Sequence, residues 1–279
     1  MTNFPTPPTI GVFDSGFGGL TVLQALLTHL PGARYAFLGD TARLPYGSKS
    51  RRTIARYAIE SAQFLVREQG AEFLVIACNT ASALALDAIQ DAVPVPVLGV
   101  IEPGAQAALE ASRTRDVLVI ATDATVQSHA YASACRSRGL RALEKACPLL
   151  VPLVEEGWTN HPVTAEVIRI YLDELWAEAS EKGMHPDALV LGCTHYPLLR
   201  SLIEAAVPPG VQVIDSAAAA AHAAVLQFDG RAAARPASSG ELQTEIHCFA
   251  TDSVEKFERL GSRFLGRPVG NVGLVDLGG

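Results

Sequence analysis

Two stretches, Leu74-Val-Ile-Ala-Cys-Asn-Thr-Ala-Ser82 and Leu189-Val-Leu-Gly-Cys-Thr-His-Tyr196, constrain this chain more than any other feature. Each is a short apolar run that ends in a cysteine, followed at once by small polar residues and then a helical pattern. An apolar run this short, bounded by polar turn residues, reads as a buried parallel strand. Cys78 and Cys193 then stand at strand carboxyl ends, where open α/β sheets carry their ligand crevices. The N–H groups behind each thiol belong to a helix start, which favours anions and is expected to depress a thiol's pKa. One such cysteine is a weak signal. Two in matching contexts, 115 residues apart (193 − 78), suggest two half-sites facing one another.

The rest of the chain repeats the alternation. A first strand over residues 9–13 ends in Asp14-Ser15-Gly16-Phe-Gly-Gly19, and Leu20, Leu23, Leu26, Leu27 and Leu30 then recur at helical spacing. This turn has Thr21 where a dinucleotide fingerprint needs its third glycine, which argues against a nucleotide. Its glycines are expected to let the backbone crowd a ligand while Asp14 and Ser15 supply polar groups, the alternative for Asp14 being a helix N-cap. Further strands are expected at 34–38, 94–101, 117–121, 141–146, 211–215 and 245–250, with an edge strand at 272–277. Residues 39–48 read as a polar loop, 80–92 as one helix, 197–206 as another, 1–8 as a disordered lead-in and 229–240 as a polar surface loop. Strand and helix alternate nearly throughout, which implies an α/β fold with helices on both faces of parallel sheet. Two lobes with a boundary near 94–101, each giving one cysteine to a shared cleft, fit the spacing.

Composition narrows the function. With 49% hydrophobic and 18% charged residues over 279 positions, the chain is neither disordered nor a nucleic-acid coat. A net charge of −7 and scattered basic residues leave no footprint for nucleic acid or an anionic membrane. No apolar stretch reaches the roughly 18 residues of a membrane span, and the first residues lack a signal-peptide core. Five cysteines without a CxxC pair argue for reduced thiols in a cytoplasm. Cys135, Cys147 and Cys248 read as buried structural thiols. A zinc site of Cys78, Cys193 and His195 would want a second ligand close to Cys78, and none is there. None of the four lysines sits in a site-like context, which argues against a pyridoxal Schiff base. Glu155 and Glu156 would ordinarily be solvated surface.

The motifs Gly11-Val-Phe-Asp-Ser-Gly-Phe-Gly-Gly-Leu20, Pro45-Tyr-Gly47, Cys78-Asn-Thr-Ala-Ser82, Ala121-Thr-Asp-Ala-Thr-Val126 and Gly192-Cys-Thr-His-Tyr-Pro-Leu-Leu199 together resemble the glutamate racemases of the aspartate/glutamate racemase family. The resemblance runs in order from Ile10 to about Gly266. It implies a cofactor-independent, metal-free interconversion of L- and D-glutamate in the cytoplasm, supplying D-glutamate for peptidoglycan, by a homodimer. It implies two pseudo-symmetric, doubly wound parallel-sheet domains with the site in the cleft between them. The C-terminal segment would return to complete the first domain, giving residues 1–98 with 210–279, and 99–209 as the second. Cys78 and Cys193 become the two acid/base residues. Asp14, Ser15, Tyr46, Gly47, Asn79, Thr80, Thr194 and His195 become substrate contacts, with Thr122 and Thr125 added, and Glu155 matches an acidic position near the second thiol. Asp14 and His195 are the groups expected to tune the two sulfurs. Ala121 departs from the usual glycine of its motif, and the short lead-in lacks the extension of members activated by a peptidoglycan precursor, so no such activation is expected.

Racemisation suits this set. A proton must leave one face of Cα and another must reach the opposite face, which two thiols can do without turning the substrate over, each acting as base in one direction and acid in the other. Alternatives are another acidic amino-acid racemase, such as one for aspartate, and a non-catalytic two-lobed amino-acid-binding protein.

Overall fold

The computed structural model describes residues 7–227 and 244–278. Most of the lead-in expected at 1–8, and all of the loop expected at 229–240, lie outside the described residues. The chain opens with β1 (Thr9–Asp14), α1 (Leu20–His29) and β2 (Arg34–Gly39), then passes two 3-10 turns into α2 (Arg51–Arg67). β3 (Phe73–Ile76) leads to α3 (Asn79–Leu84), α4 (Leu86–Ala92) and β4 (Val97–Gly99). The one helix expected over 80–92 is two, because the backbone leaves helical geometry at Ala85 (φ −135°, ψ 0°). α5 (Ile101–Ala111), β5 (Asp116–Ala121), α6 (Asp123–Ser128), α7 (Ala130–Arg136) and β6 (Arg141–Ala146) follow. Next come α8 (Leu150–Glu155), α9 (Pro162–Glu181), β7 (Ala188–Gly192), α10 (Arg200–Ala206) and β8 (Gln212–Asp215). The last elements are α11 (Ser216–Gln227), β9 (Ile246–Ala250), α12 (Val254–Leu265) and β10 (Val272–Leu274).

The strands form two parallel sheets, one of six in the order β10-β9-β2-β1-β3-β4 and one of four in the order β6-β5-β7-β8. Strands buried on both faces explain the unbroken apolar runs in the sequence. Ile10, Val12, Tyr35 and Phe37 face one way, into a core that also takes Leu118, Ile120, Leu189 and Leu191 of the other sheet. That shared core, with α1 packed on α11 and α11 on α5, joins the two lobes. The outer faces have cores of their own, around Phe13, Leu38 and Ile76 in the first lobe and Val117, Val119 and Val190 in the second.

One strand lies elsewhere than the expected division put it. The expected division gives everything after residue 209 to the first lobe, but β8 pairs with β7, Ala188 against Gln212 through Leu191 against Asp215. The short crossover through α10 lays β8 beside the strand just before it, as consecutive parallel strands usually do. Only β9 and β10 return to the six-stranded sheet, β9 pairing with β2 from Tyr35 opposite Ile246 to Gly39 opposite Ala250.

The Asp14–Gly19 turn rests on the end of β2. A Cβ at Gly39 would lie 2.1 Å from the Gly16 carbonyl oxygen and 2.6 Å from the Phe257 ring. Backbone cannot yield there as a flexible side chain would, so Gly39→Ala should destabilise by about 2 kcal/mol and lower the melting temperature by roughly 5 °C. An unchanged thermal transition would show that the turn is free to move off the strand.

Candidate active site

Residues that follow the carboxyl ends of β1, β2, β3, β5, β6 and β7 line one cavity of ≈ 420 Å³. Ser15, Tyr46, Gly47, Cys78, Asn79 and Thr80 come from the first lobe; Thr122, Glu155, Cys193, Thr194 and His195 come from the second. Strand ends converge here because every strand runs parallel, so all the loops at one end of each sheet share a side.

Cys78 caps α3, its sulfur accepting the Ala81 N–H at 3.4 Å with the Ser15 hydroxyl also 3.4 Å away. A helix start here predicts a depressed pKa. Instead burial, reinforced by the charge of Asp14, pushes the Cys78 thiol up to about 12, and the donors of Ser15 and Ala81 only partly offset this. A helix of six residues brings too small a dipole to outweigh that desolvation. Asp14 is buried and does not itself line the cavity. Its Oδ2 accepts the Gly16 N–H at 2.9 Å, so it braces the turn; α1 is capped by Gly19 instead. Its Oδ1 is buried without a hydrogen-bond partner. Burial raises the Asp14 pKa, with His195 and the Gly16 and Gly19 N–H groups pulling against it.

Cys193 has a different setting. A 3-10 turn, Tyr196–Leu199, intervenes before α10 begins at Arg200, so no α-helix starts at this thiol. Its partner is His195, whose Nδ1 stands 4.0 Å from the sulfur. His195 Nε2 faces Glu155 Oε1 at 3.4 Å, an ion-pair distance without the alignment of a hydrogen bond. Burial alone would lower the His195 pKa, but the Cys193 sulfur and the Glu155 carboxylate, with Asp14 behind, raise it to about 10. For Glu155, burial is outweighed by His195 and by Lys256, 3.5 Å away, so its carboxyl is held below the usual range. Glu155 is thereby placed in the site and not on open surface. The glycines of the first turn divide their duties: Gly16 lines the cavity, whereas a Cβ at Gly18 would meet Thr194 Oγ1 at 2.3 Å and His195 Nδ1 at 2.6 Å.

Three threonines tie the lobes together. Thr80 Oγ1 lies 3.1 Å from Thr122 Oγ1 and 3.3 Å from Thr125 Oγ1, which are 2.9 Å from each other. Thr122 lines the cavity and Thr125 supports it from behind. Tyr46 also differs from a simple hydroxyl donor: its OH bonds Asp40 Oδ2 at 2.5 Å, inside a buried cluster with Arg43. What the 44–48 loop offers the cavity is therefore chiefly the apolar Leu44 and the stretch around Gly47, which stands opposite Thr122. Sequence reasoning missed the apolar wall of Phe17, Leu44, Pro148, Val151 and Pro152, and missed Asp40, which lies behind Tyr46 and outside the cavity lining. Only the Cys-Pro step at 147–148, after a strand, could have pointed to the wall. Among the described residues no group of three or more His, Cys, Asp or Glu is placed to hold a metal ion.

Comparison with known proteins agrees with this layout. The family model described as Asp/Glu/Hydantoin racemase matches residues 15–224. A glutamate racemase of Koribacter versatilis is 52% identical, covering 98% of each chain. The crystal structure of a glutamate racemase isoform from Bacillus anthracis superposes with a TM-score of 0.86 at 35% identity, covering 98% of this chain and 99% of that one. That of the Francisella tularensis glutamate racemase, in complex with D-glutamate, gives 0.84 at 34% identity over 98% of each. With two parallel sheets, a thiol from each at one cavity and similarity over nearly its whole length, this chain belongs to the Asp/Glu/Hydantoin racemase family.

Proposed function

We propose that this chain interconverts L- and D-glutamate without a cofactor, using Cys78 and Cys193 as paired acid and base. The observation that carries this is that the two thiols line the same cavity from opposite lobes. By family analogy Cys193 acts on the L isomer: its thiolate takes the α-proton while the Cys78 thiol delivers one to the other face. The reverse reaction exchanges the roles. A thiol pushed up to about 12 is a poor base, and the α-ammonium of a bound amino acid supplies a positive charge that lowers it. Ser15, Asn79, Thr80, Thr122 and Thr194, with the Gly47 backbone, hold the two carboxylates in a water-poor cleft and stabilise the carbanion-like transition state. Asp14, Tyr46 and Thr125 act from behind them, and His195 with Glu155 serves Cys193.

We assign two domains, the first discontinuous and completed by β9 and β10, with β8 in the second; the strand order of the two sheets supports this division. The family reading also carries a D-glutamate supply to peptidoglycan, a cytoplasmic location and a homodimer. No described helix is long and apolar enough to cross a membrane.

Labelling tests the mechanism. Run from L-glutamate in heavy water, D-glutamate should carry solvent deuterium at Cα from its first appearance, because its proton comes from the opposite thiol, already equilibrated with solvent. The unreacted L-glutamate should stay largely unlabelled early on. Early D-glutamate that keeps its original hydrogen would mean one base passing a proton across, and L-aspartate turning over faster than L-glutamate would shift the substrate.

A further inference from the structure

We propose that Tyr131, on α7 of the second lobe, is a positioning residue for this reaction: it holds the Asn79 carboxamide by its oxygen, so that Nδ2 is the end left to donate to a substrate carboxylate. The inference deepens the racemase reading and rests on it.

The Tyr131 hydroxyl donates to Asn79 Oδ1 at 2.7 Å across the lobes. Asn79 lines the cavity and is 3% exposed, and its Nδ2 is buried with no hydrogen-bond partner. A buried amide donor without a partner is costly, so such a group in the wall of a cavity marks where a ligand's acceptor belongs. A carboxamide has an acceptor end and a donor end, and they can trade places by rotation about one soft torsion. Only the donor end suits a carboxylate. Here the phenol O–H donates to the carboxamide oxygen, which leaves Nδ2 as the free end. Burial raises the Tyr131 pKa, which keeps that proton in place.

The fold fixes the ring as well. Tyr131 is fully buried and lies outside the cavity, so it acts only through Asn79. A Cβ at Gly104 of α5 or at Gly192, at the end of β7 next to Cys193, would come within 3.0 Å of its ring carbons. These two glycines form the slot that holds the phenol. The neighbouring residue Thr80 bonds Thr122 and Thr125 of the same second lobe. Two consecutive first-lobe residues are thus held across the cleft.

The test is a double-mutant cycle with the circular-dichroism assay on both glutamate enantiomers, using wild type, Tyr131→Phe, Asn79→Ala and the double variant. Tyr131→Phe should raise KM for both enantiomers roughly tenfold and move kcat by less than about threefold, since carboxylate binding is shared by ground and transition states. In the Asn79→Ala background the same substitution should add less than about a twofold change. An unaltered KM in Tyr131→Phe, or the same penalty in both backgrounds, overturns the assignment. Should Tyr131→Phe fail to fold, Asn79→Asp keeps an acceptor for the phenol while removing the donor; it should raise KM, even though a buried carboxylate lowers its melting temperature, and an unchanged KM would equally overturn the proposal. A wild type inactive on glutamate defeats the racemase reading and this one with it. An active wild type beside an indifferent Tyr131→Phe defeats this one alone.

Discussion

Cys78→Ala and Cys193→Ala should each abolish racemisation in both directions, lowering kcat by at least about a thousandfold. Each direction needs an acid on one face of Cα and a base on the other, so removing either sulfur removes half of every turnover. Stability should move far less. Both side chains are small, and only Cys78 has a structural duty, accepting the Ala81 N–H as the cap of α3. Cys78→Ser separates the two effects: a hydroxyl keeps the cap but is too weak an acid to form the base at working pH. It should melt near the wild-type temperature and remain inactive. A Cys→Ala variant that racemises either enantiomer within tenfold of wild type would remove that thiol from the mechanism.

His195→Asn should lower kcat by about a hundredfold and change how stability depends on pH. His195 is enclosed by Cys193, Glu155, Asp14 and the ring of Phe264, its centroid 4.9 Å from the latter. Its folded pKa, about 10, lies above the ordinary 6.5. A proton is therefore bound more tightly in the folded protein, and the stabilisation it brings is complete below pH 6.5 and lost as pH rises through about 10. Wild type should exceed His195→Asn in stability by on the order of a few kcal/mol near pH 6, and this margin should shrink toward pH 10. Urea melts of both proteins across that range measure it. A margin that grows with pH would mean a His195 held neutral by burial. The activity should follow the same limb, since the imidazolium faces the sulfur that carries negative charge when it acts as base.

What the sequence determined by itself is what local pattern can encode. Unbroken apolar runs ending in Asp14, Cys78, Thr122 and Cys193 could only be strands buried on both faces, and alternation with helices made the sheets parallel. Parallel strands put all those ends on one side, so the site was legible as a set of strand-end residues. Tertiary structure alone decided their surroundings. The Cys78 pKa follows from how much water its neighbours exclude and from the nearness of Asp14, 64 residues away in sequence (78 − 14), and no local motif encodes that. The Tyr46 hydroxyl turned toward Asp40 because a buried carboxylate beside Arg43 takes every donor it can reach. β8 joined the second sheet because the α10 crossover is short, a matter of chain geometry that apolar pattern does not record. Tyr131 drew no notice in a sequence where it is one tyrosine among six, since its role depends on an asparagine 52 positions earlier (131 − 79) meeting it across a cleft. Strand ends are written in local sequence; the partners that set their charge and orientation are written only in the packing of one lobe on the other.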